Sequence, residues 1–380
     1  MTYFDAHCHT LFAGRELQGA VLHKCQSPAE LILEIKKFIS LHPQLFWFDL
    51  SAVARDFEID RWILDEASTE FAIVVHTADH HSICVNSRAL EIASFDLAAP
   101  EVEGGRFEVT EGLPNGWIHE YVAMQLIYQH QPKPTVQQDL AALELAQNIL
   151  LEHSISRQTE AWIDPGMPQV YIEALRQEKL KIKTELAIRV TPENTQQEML
   201  FAVETRSLIS QLSSELLTAN SVKLFLDGVH SSNTAWLKSD SSTKGIWQPE
   251  RLLKTASEAV AKGFNLHFHA CGDAAVRQAL DVVQQVRPNL AVIAHADLID
   301  PADLPELAAA AIIINSTPVW AEKAPAEHFN YRGILDAGIR LCFGSDWPVS
   351  QPNMQSQIEA AVNYRNLTFE EARAAAKLDF

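Results

Sequence analysis

The sequence predicts an α/β protein built on a (β/α)8 TIM barrel with a large insertion after the first strand. From about residue 151 onward, short apolar runs alternate with segments that carry helix start and stop signals. With the first strand these runs number eight, the number of strands that closes such a barrel. Residues 1–9 and 151–380 together approach the roughly 250 residues of a typical barrel. The later strand candidates are residues 155–162, 182–190, 221–229, 264–270, 290–297, 311–318 and 339–348.

The segment between the first and second strands, residues 10–150, does not follow this alternation and is predicted to be an insertion into the barrel of residues 1–9 and 151–380. A capping box at Ser27-Pro28-Ala29-Glu30 opens a helix that runs to about Leu41. A second helix is expected near residues 60–66 and a strand at residues 71–77. The polar stretch at residues 100–116 indicates turns and hairpin loops.

The composition of the chain limits the kinds of molecule that the protein is expected to bind. Of the 380 residues 47% are hydrophobic, and 30 basic against 49 acidic side chains give a net charge of -19. This balance argues against nucleic acid or an anionic membrane surface and favours a small-molecule substrate. The five cysteines are scattered, which predicts reduced thiols in a cytoplasmic protein. The sequence shows no basic, apolar leader before His7 and no apolar run near the roughly 20 residues of a membrane span.

The first strand carries two histidines two positions apart. In a β-strand, residues i and i+2 point the same way, so His7 and His9 would project side by side and could share a metal ion. Two histidines without further ligands rarely hold an ion, and the alternative is a pair of ordinary N-terminal histidines. The metal hypothesis therefore requires further ligands from the rest of the chain.

Alternation along residues 221–229 separates an aliphatic face from a polar one. If the aliphatic side chains face the helices, Lys223 and Asp227 face the barrel interior. A buried lysine is costly unless its charge is compensated. A salt bridge with Asp227 or Asp346 would explain Lys223 without any catalytic role.

The same parity argument places further candidate ligands at strand ends, where barrel enzymes keep their chemistry. His269 and His295 would point inward from their strands, and Asp346 follows the last strand. His267 lies one layer below His269 and is interpreted as a core histidine. Together these nitrogen and oxygen ligands suit zinc, manganese or a similar divalent ion.

Six motifs, in order along nearly the whole chain, resemble those of the amidohydrolase superfamily, and within it amidohydrolase family 3, the YtcJ-like metal-dependent hydrolases. They are Asp5-Ala6-His7-Cys8-His9 (D-A-H-x-H), residues 79–90 (D-x-H-S-x-x-V-N-S-x-A-L), residues 116–120 (G-x-L-x-E), residues 222–228 with 234–235 (V-K-x-F-x-D-G and T-A), residues 269–276 (H-A-x-G-D-x-A-V) and residues 344–349 (G-S-D-x-P-V).

This resemblance implies a barrel of the metallo-dependent hydrolase type that holds one or two divalent ions, most simply zinc. His7 and His9 would bind one ion, and His269 and His295 would bind another or hold the oxyanion. Lys223 stands where relatives carry a carboxylated lysine, a CO2 adduct that bridges metals. Asp346 would be both a ligand and the proton shuttle for hydrolysis of a non-peptide C–N bond in an amide, N-acyl or N-formyl compound.

Residues assigned to the substrate come mainly from the insertion. They are Asp79, His81, Asn86 and Glu120, to which the inward-facing Asp227 is added. A structural role in fixing the insertion is an equally good interpretation of the first four. Tryptophans are candidates for an apolar wall, among them Trp162 and Trp320.

Departures from the family pattern leave alternatives open. The small β-domain usual in relatives is not recognisable, so the chain is either a shortened version or leaves a flank that a second copy would cover in a homo-oligomer. Residues 153–162 lack G-x-T, and Thr317-Pro318 replaces Q-P. Two other functions remain: a metal-dependent hydrolase of esters, lactones or phosphoesters, and a catalytically silent barrel that acts as a binding protein.

Overall fold

The computed structural model describes residues 2–20, 22–54, 57–78, 80–102 and 104–378. The chain divides into two compact units. The first consists of Met1–Leu11 with Leu143–Phe380, and the second of Phe12–Ala142. Each unit is described by itself below.

The helices and strands are numbered along the chain. Across the described residues the strands are β1 (Tyr3–Cys8), β2 (Trp47–Val53), β3 (Ala72–Thr77), β4 (Ser82–Val85), β5 (Arg106–Thr110), β6 (Leu113–His119), β7 (Ile155–Ile163), β8 (Lys183–Arg189), β9 (Leu217–Phe225), β10 (Asn265–Ala270), β11 (Ala291–His295), β12 (Ile313–Ser316) and β13 (Arg340–Phe343). The α-helices are α1 (Thr10–Leu17), α2 (Pro28–Leu41), α3 (Arg61–Asp65), α4 (Ser87–Ile92), α5 (Tyr121–Tyr128), α6 (Val136–Glu152), α7 (Met167–Arg176), α8 (Thr195–Ser210), α9 (Pro249–Ala261), α10 (Asp273–Val286), α11 (Leu304–Ala309), α12 (Tyr331–Asp336), α13 (Met354–Arg365) and α14 (Phe369–Ala375).

The first unit is the predicted barrel. Within the described residues its eight-stranded parallel sheet runs in the order β1-β7-β8-β9-β10-β11-β12-β13, with helices between most strands. The end of β1 and the turn after β13 are joined by two backbone bonds, from Asp346 N–H to the His7 carbonyl (2.8 Å) and from His9 N–H to the Trp347 carbonyl (2.7 Å). The fold class predicted from the alternation of strands and helices is therefore confirmed.

Alternation along β9 places its polar side chains on the inner face. Val222 and Leu224 are buried on the opposite face from Lys223, which is itself fully buried. Lys223 pairs in register with His267 on β10 and with Arg189 on β8. Because paired residues of parallel strands point to the same face, these three side chains form one polar layer inside the barrel.

Strand β9 lies four residues earlier than predicted at both ends. Its early start is fixed by Glu185 on β8, whose carboxylate accepts bonds from the Asn220 N–H and the Ser221 hydroxyl (2.8 Å each). Beyond Phe225 the chain turns, because Gly228 N–H bonds the Thr234 carbonyl (3.1 Å) within the following loop. Asp227 therefore lies in a loop and not in the strand.

The second unit contains, among its described residues, a mixed sheet in the order β2-β3-β4-β6-β5. Strands β2 and β3 are parallel and the other pairs antiparallel, with β5 and β6 forming the predicted hairpin. The predicted helix α2 is confirmed at both ends, and Ser27 caps it through the Glu30 N–H (3.3 Å). Strand β2 has no counterpart in the sequence prediction. None of the helices in the part of the chain that the structure describes is long and apolar enough to cross a membrane.

An ion pair in the second unit predicts how its stability depends on pH. His76 Nε2 lies 2.6 Å from Asp49 Oδ1. Burial opposes the charge on His76, but the Asp49 carboxylate outweighs it and raises the pKa of His76 above its ordinary 6.5; the pKa of Asp49 is lowered. A raised histidine pKa stabilises the folded state fully below 6.5 and loses that contribution as the pH rises through the folded value.

We therefore expect Asp49→Asn to destabilise the protein more at about pH 5.5 than at about pH 9. Thermal unfolding of the wild type and the variant at both pH values measures this. Glu101→Gln, at an exposed residue of the same unit, is the control and should show no such difference. An equal loss of thermal stability at both pH values would show that the ion pair is not the cause of the loss.

Candidate metal centre

The two histidines of the first motif converge on the aspartate of the last. The ring centroids of His7 and His9 lie 5.2 Å apart. Their Nε2 atoms lie 3.3 and 2.9 Å from the same Asp346 oxygen, Oδ1. The side-chain ligand atoms of all three lie within 4.8 Å of one another. Residues from the two ends of the chain thus meet at one point inside the barrel.

The turn that carries Asp346 is anchored to β1. Asp346 has φ 52°, in the left-handed region that costs a non-glycine residue free energy. The neighbouring Ser345 donates to the buried Asp5 carboxylate through its N–H (2.9 Å) and its hydroxyl (2.5 Å). Burial raises the pKa of Asp5 to about 7 despite these bonds. Asp5, a member of the first motif with no predicted role of its own, therefore fixes the turn of Asp346 beside the histidines.

Lys223 lies within the same cluster. Its Nζ is 3.5 Å from His7 Nε2 and lies over the Phe225 ring, 4.9 Å from the centroid. Within the described part of the chain no carboxylate oxygen lies within 4.0 Å of this nitrogen, so the salt bridge considered above is not formed. Burial lowers the pKa of Lys223 to about 7.

His269 and His295 lie together beside His7. Their ring centroids are 4.5 Å apart, and that of His295 is 5.0 Å from His7. His295 has φ 73°, and its buried Nδ1 has no hydrogen-bond partner among the residues that the structure describes. His269 Nε2 lies 3.1 Å from the Gly228 carbonyl. The inward placement expected for both histidines agrees with these contacts.

His267 is a buried histidine with a hydrogen-bond partner, as the sequence interpretation of a core histidine expects, and that partner belongs to the candidate site. Its Nε2 lies 2.9 Å from His7 Nδ1, the ring nitrogen that faces away from Asp346. It therefore orients a candidate ligand, although it was assigned no role in the site. Parity along β10 places His267 inward but carries no information about which residue of β1 it meets.

His7, His295 and Asp346 have the protonation states that bind a cation. Burial, followed by the charge of Lys223, lowers the pKa of His7 to about 3, and burial lowers that of His295 well below its usual range. Burial alone would raise the pKa of Asp346, but the bonds from His7 and His9 outweigh it and hold that pKa well below its usual range. Neutral imidazoles and an ionised carboxylate are the forms that bind divalent metals. The donor set fits zinc or a similar ion.

Partly exposed aromatic rings border the polar cluster. The Trp162 centroid lies 6.4 Å from that of His9, and the Phe225 centroid 4.9 Å from that of His269. Trp320 stacks on His295 with centroids 5.6 Å apart. Trp162, at the end of β7, and Phe225 also contact each other edge to face. These three rings therefore give the cluster a border of flat, apolar surface.

Asp227 holds the loop that follows His269. Its two oxygens accept the backbone N–H groups of Cys271 (3.0 Å), Gly272 (2.8 Å) and Trp236 (2.9 Å). Its nearest distance to His269 Nε2 is 3.8 Å. These contacts give Asp227 a positioning role for His269.

The remaining predicted substrate residues belong to the second unit. Asn86 is fully buried and caps α4 through the Ala89 N–H (3.0 Å), while its Nδ2 donates to the Ser68 and Phe71 carbonyls (2.9 Å each). The structural alternative considered above accounts for Asn86. His81 Nδ1 lies 3.2 Å from Glu120 Oε2. Asp79 lies outside the described residues.

Sequence reasoning also overlooked Arg189. Because it ends β8 in register with Lys223, the parity argument applied to Lys223 would have placed it on the inner face. The signal was present in residues 182–190 but was not used. Trp162 was considered only as one of several tryptophans, although it lies next to the last residue of its strand.

A (β/α)8 barrel with paired histidines at the end of β1, an aspartate after the last strand and a buried lysine from β9 has the fold and donor set of a metal-dependent hydrolase. The chain belongs to the amidohydrolase family, whose model matches residues 3–378. The family predicted from the motifs is thus confirmed.

Individual relatives are distant. The chain is 24% identical to the protein LONG AFTER FAR-RED 3 of Arabidopsis thaliana, over 94% of this chain and 67% of the relative. It is also 24% identical to the putative amidohydrolase YtcJ of Bacillus subtilis, over 79% of this chain and 60% of the relative. The chain therefore spans about two thirds or less of the length of these curated relatives.

Solved structures show the same fold. An uncharacterized metal-dependent hydrolase from Pyrococcus furiosus superposes with a TM-score of 0.76 at 20% identity, covering 99% of this chain and 80% of that one. A second, from Pyrococcus horikoshii, gives 0.75 at 19% identity, covering 99% and 77%. At these identities the likeness concerns the fold.

Proposed function

We propose that this chain is a metal-dependent hydrolase that cleaves a non-peptide C–N bond of a small molecule, in an amide, N-acyl or N-formyl compound. The observation that carries this proposal is the convergence of His7 and His9 Nε2 on one oxygen of Asp346. Membership of the amidohydrolase family and the relative described as a putative amidohydrolase support the choice of bond.

The core of the proposed ligand set is His7, His9 and Asp346, whose ligand atoms already converge. Lys223, whose nitrogen lies 3.5 Å from His7 Nε2, and the neighbouring His269 and His295 are proposed to complete it. A divalent ion bound there would polarise the substrate carbonyl and lower the pKa of a water molecule from 15.7 toward about 7. Zinc is the proposed ion, because the donors are imidazole nitrogens and carboxylate oxygens.

Asp346 is the proposed proton shuttle. Its low pKa keeps it ionised, so it can accept a proton from the water that attacks the carbonyl carbon. The same carboxyl group then delivers that proton to the nitrogen as the C–N bond breaks. The Asp5–Ser345 contact holds this carboxylate in place throughout, and His295 or His269 lies near enough to His7 to assist the developing oxyanion.

Lys223 is proposed to carry a CO2 adduct. An amine must be neutral to add CO2, and the lowered pKa supplies that form near neutrality. The addition joins the nitrogen to the carbon of CO2 and releases one proton, which replaces a buried amine with an anionic oxygen ligand. We expect metal binding to be weakened about tenfold or more when bicarbonate is removed, and a carbamate carbon signal in NMR with isotopically labelled bicarbonate.

The control for Lys223 is Lys262, an exposed lysine at the end of α9. Lys223→Met should abolish both the carbamate signal and the bicarbonate dependence, whereas Lys262→Met should change neither. Metal binding by the wild type that is indifferent to bicarbonate, with no carbamate signal, would reject the adduct.

Elemental analysis of the purified protein followed by substrate screening tests the proposed function. We expect about one or two equivalents of divalent metal and hydrolysis of N-acyl or N-formyl amides in preference to esters, lactones and phosphoesters. Metal-loaded protein that hydrolyses only esters, lactones or phosphoesters would show that the bond cleaved is not a C–N bond. Folded protein that stays metal-free after incubation with zinc or manganese and bicarbonate would reject the hydrolase.

A further inference from the structure

The ring of His295 lies in the candidate metal centre without the hydrogen bond that usually orients a ligand histidine. The residue is buried, and its Nδ1 has no hydrogen-bond partner among the residues that the structure describes. Ligand histidines almost always donate their second ring N–H to a carboxylate, a carbonyl group or water, and that bond fixes the plane of the ring. His7 has such a partner in His267. A different kind of contact must therefore orient His295.

The backbone at His295 fixes where the side chain begins but not the plane of its ring. His295 ends β11 and pairs in register with Ala270 of β10. The N–H of the following residue, Ala296, donates to the Ala270 carbonyl at 2.9 Å. The last torsion of a histidine side chain is broad and roughly twofold, so a fixed backbone leaves several ring planes accessible.

A tryptophan covers one face of this ring. The planes of Trp320 and His295 differ by only 14°, with the centroids 5.6 Å apart. His7 and His269 meet the same imidazole edge to face, at 66° and 65°. Stacked and edge-to-face arrangements are those that aromatic rings prefer. The stack with Trp320 thus sets the plane of His295, and the two other histidines border it.

The segment that carries Trp320 is itself fixed by helix α13. Trp320 belongs to a short 3₁₀ helix that follows β12. The side chain of Gln357, fully buried on α13, accepts the Val319 N–H at 3.0 Å. Arg365, the last residue of α13, donates to the Pro325 carbonyl at 3.2 Å. The backbone is therefore held on both sides of the tryptophan.

We propose that Trp320 is a positioning residue of the metal centre, whose stack on His295 holds the imidazole in the orientation required of a ligand. This inference rests on the proposed function, in which His295 is one of the ligands. The indole has one N–H donor and no ligand atom, so Trp320 acts only through His295. A favourable aromatic pair corresponds to about a factor of ten in an equilibrium constant, which is the expected effect of the stack on ion binding.

NMR of the histidine rings tests this orientation in metal-free protein, before any ion is added. Isotopically labelled histidine gives ring nitrogen signals, and those of His295 are assigned by their loss in His295→Ala. We expect one narrow set in the wild type and in Trp320→Phe, which keeps a ring that can stack. Trp320→Leu keeps apolar bulk without a flat face and should give broadened or doubled signals. A single, equally narrow set in Trp320→Leu would overturn the inference.

Zinc titrations followed by calorimetry measure the consequence for the metal centre. Trp320→Leu should weaken zinc binding about tenfold, whereas Trp320→Phe should stay close to the wild type. In a His295→Ala background the change Trp320→Leu should cause no further loss, because no imidazole remains for the indole to position. A tenfold loss that persists in that background would show that Trp320 only supports the fold, and the inference would be wrong.

Trp62→Leu is the matched control. Trp62 is a tryptophan of the second unit, 40% exposed, with the Arg61 guanidinium carbon 4.9 Å from its ring centroid. Its replacement removes the same indole and should change neither the His295 signals nor zinc affinity. Dependence of both on Trp320 in a protein that hydrolyses no amide would reject the proposed function alone. Amide hydrolysis by a protein in which neither depends on Trp320 would reject the positioning role alone.

Discussion

Replacing Asp346 by asparagine is expected to lower kcat for amide hydrolysis by about 10²–10⁴-fold, the usual contribution of a positioned acid–base group. The amide of asparagine has nearly the same shape but cannot accept a proton. The low pKa of Asp346 keeps it ionised in the wild type, which is the form that can accept a proton. Steady-state kinetics at saturating metal, with the metal content of each sample measured, separate loss of the proton shuttle from loss of the ion.

Asp336→Asn is the control for this substitution. Asp336 is an exposed residue at the end of α12 that pairs with Arg332 at 3.4 Å. Its replacement should leave kcat and metal content unchanged. An Asp346→Asn protein with full metal content and a nearly wild-type kcat would place the proton shuttle on another group.

The polar layer of the barrel was predictable because its strands obey a simple alternation. A parallel barrel covered by helices has an aliphatic outer face, so Val222 and Leu224 identify the face of Lys223 without any structure. The histidines of β1 and Asp346 were predictable for a second reason, since parallel strands bring their carboxyl ends to one edge. A residue near the carboxyl end of its strand is therefore predicted to lie in the site.

Contacts across the interior were not predictable by these rules. His267 and His269 lie on one face of β10, and parity cannot decide which of them meets His7. That depends on the stagger between β1 and β10, which are not neighbours in the sheet. Strand β2 was missed because Asp49 interrupts its apolar pattern; its partner β3 is parallel and lies about 20 residues later, so no hairpin turn marks the pair.

His7→Ala is expected to abolish binding of the ion. His7 contacts three members of the cluster, with Nε2 beside Asp346 and Lys223 and Nδ1 beside His267. For Nε2 to bind a cation its proton must be on Nδ1, and the bond to His267 Nε2 fixes that tautomer.

The replacement of His267 tests whether its hydrogen bond fixes the tautomer of His7. We expect His267→Ala to weaken metal affinity about 10–100-fold, without abolishing it, because His267 orients the ligand His7 through a hydrogen bond and does not bind the ion itself. His23→Ala, at an exposed histidine of the second unit, should have no effect. Metal titrations of the three variants measure their relative affinities for the ion. If His267→Ala abolished binding as completely as His7→Ala, His267 would itself be a ligand; if it had no effect, the His7 tautomer would not depend on it.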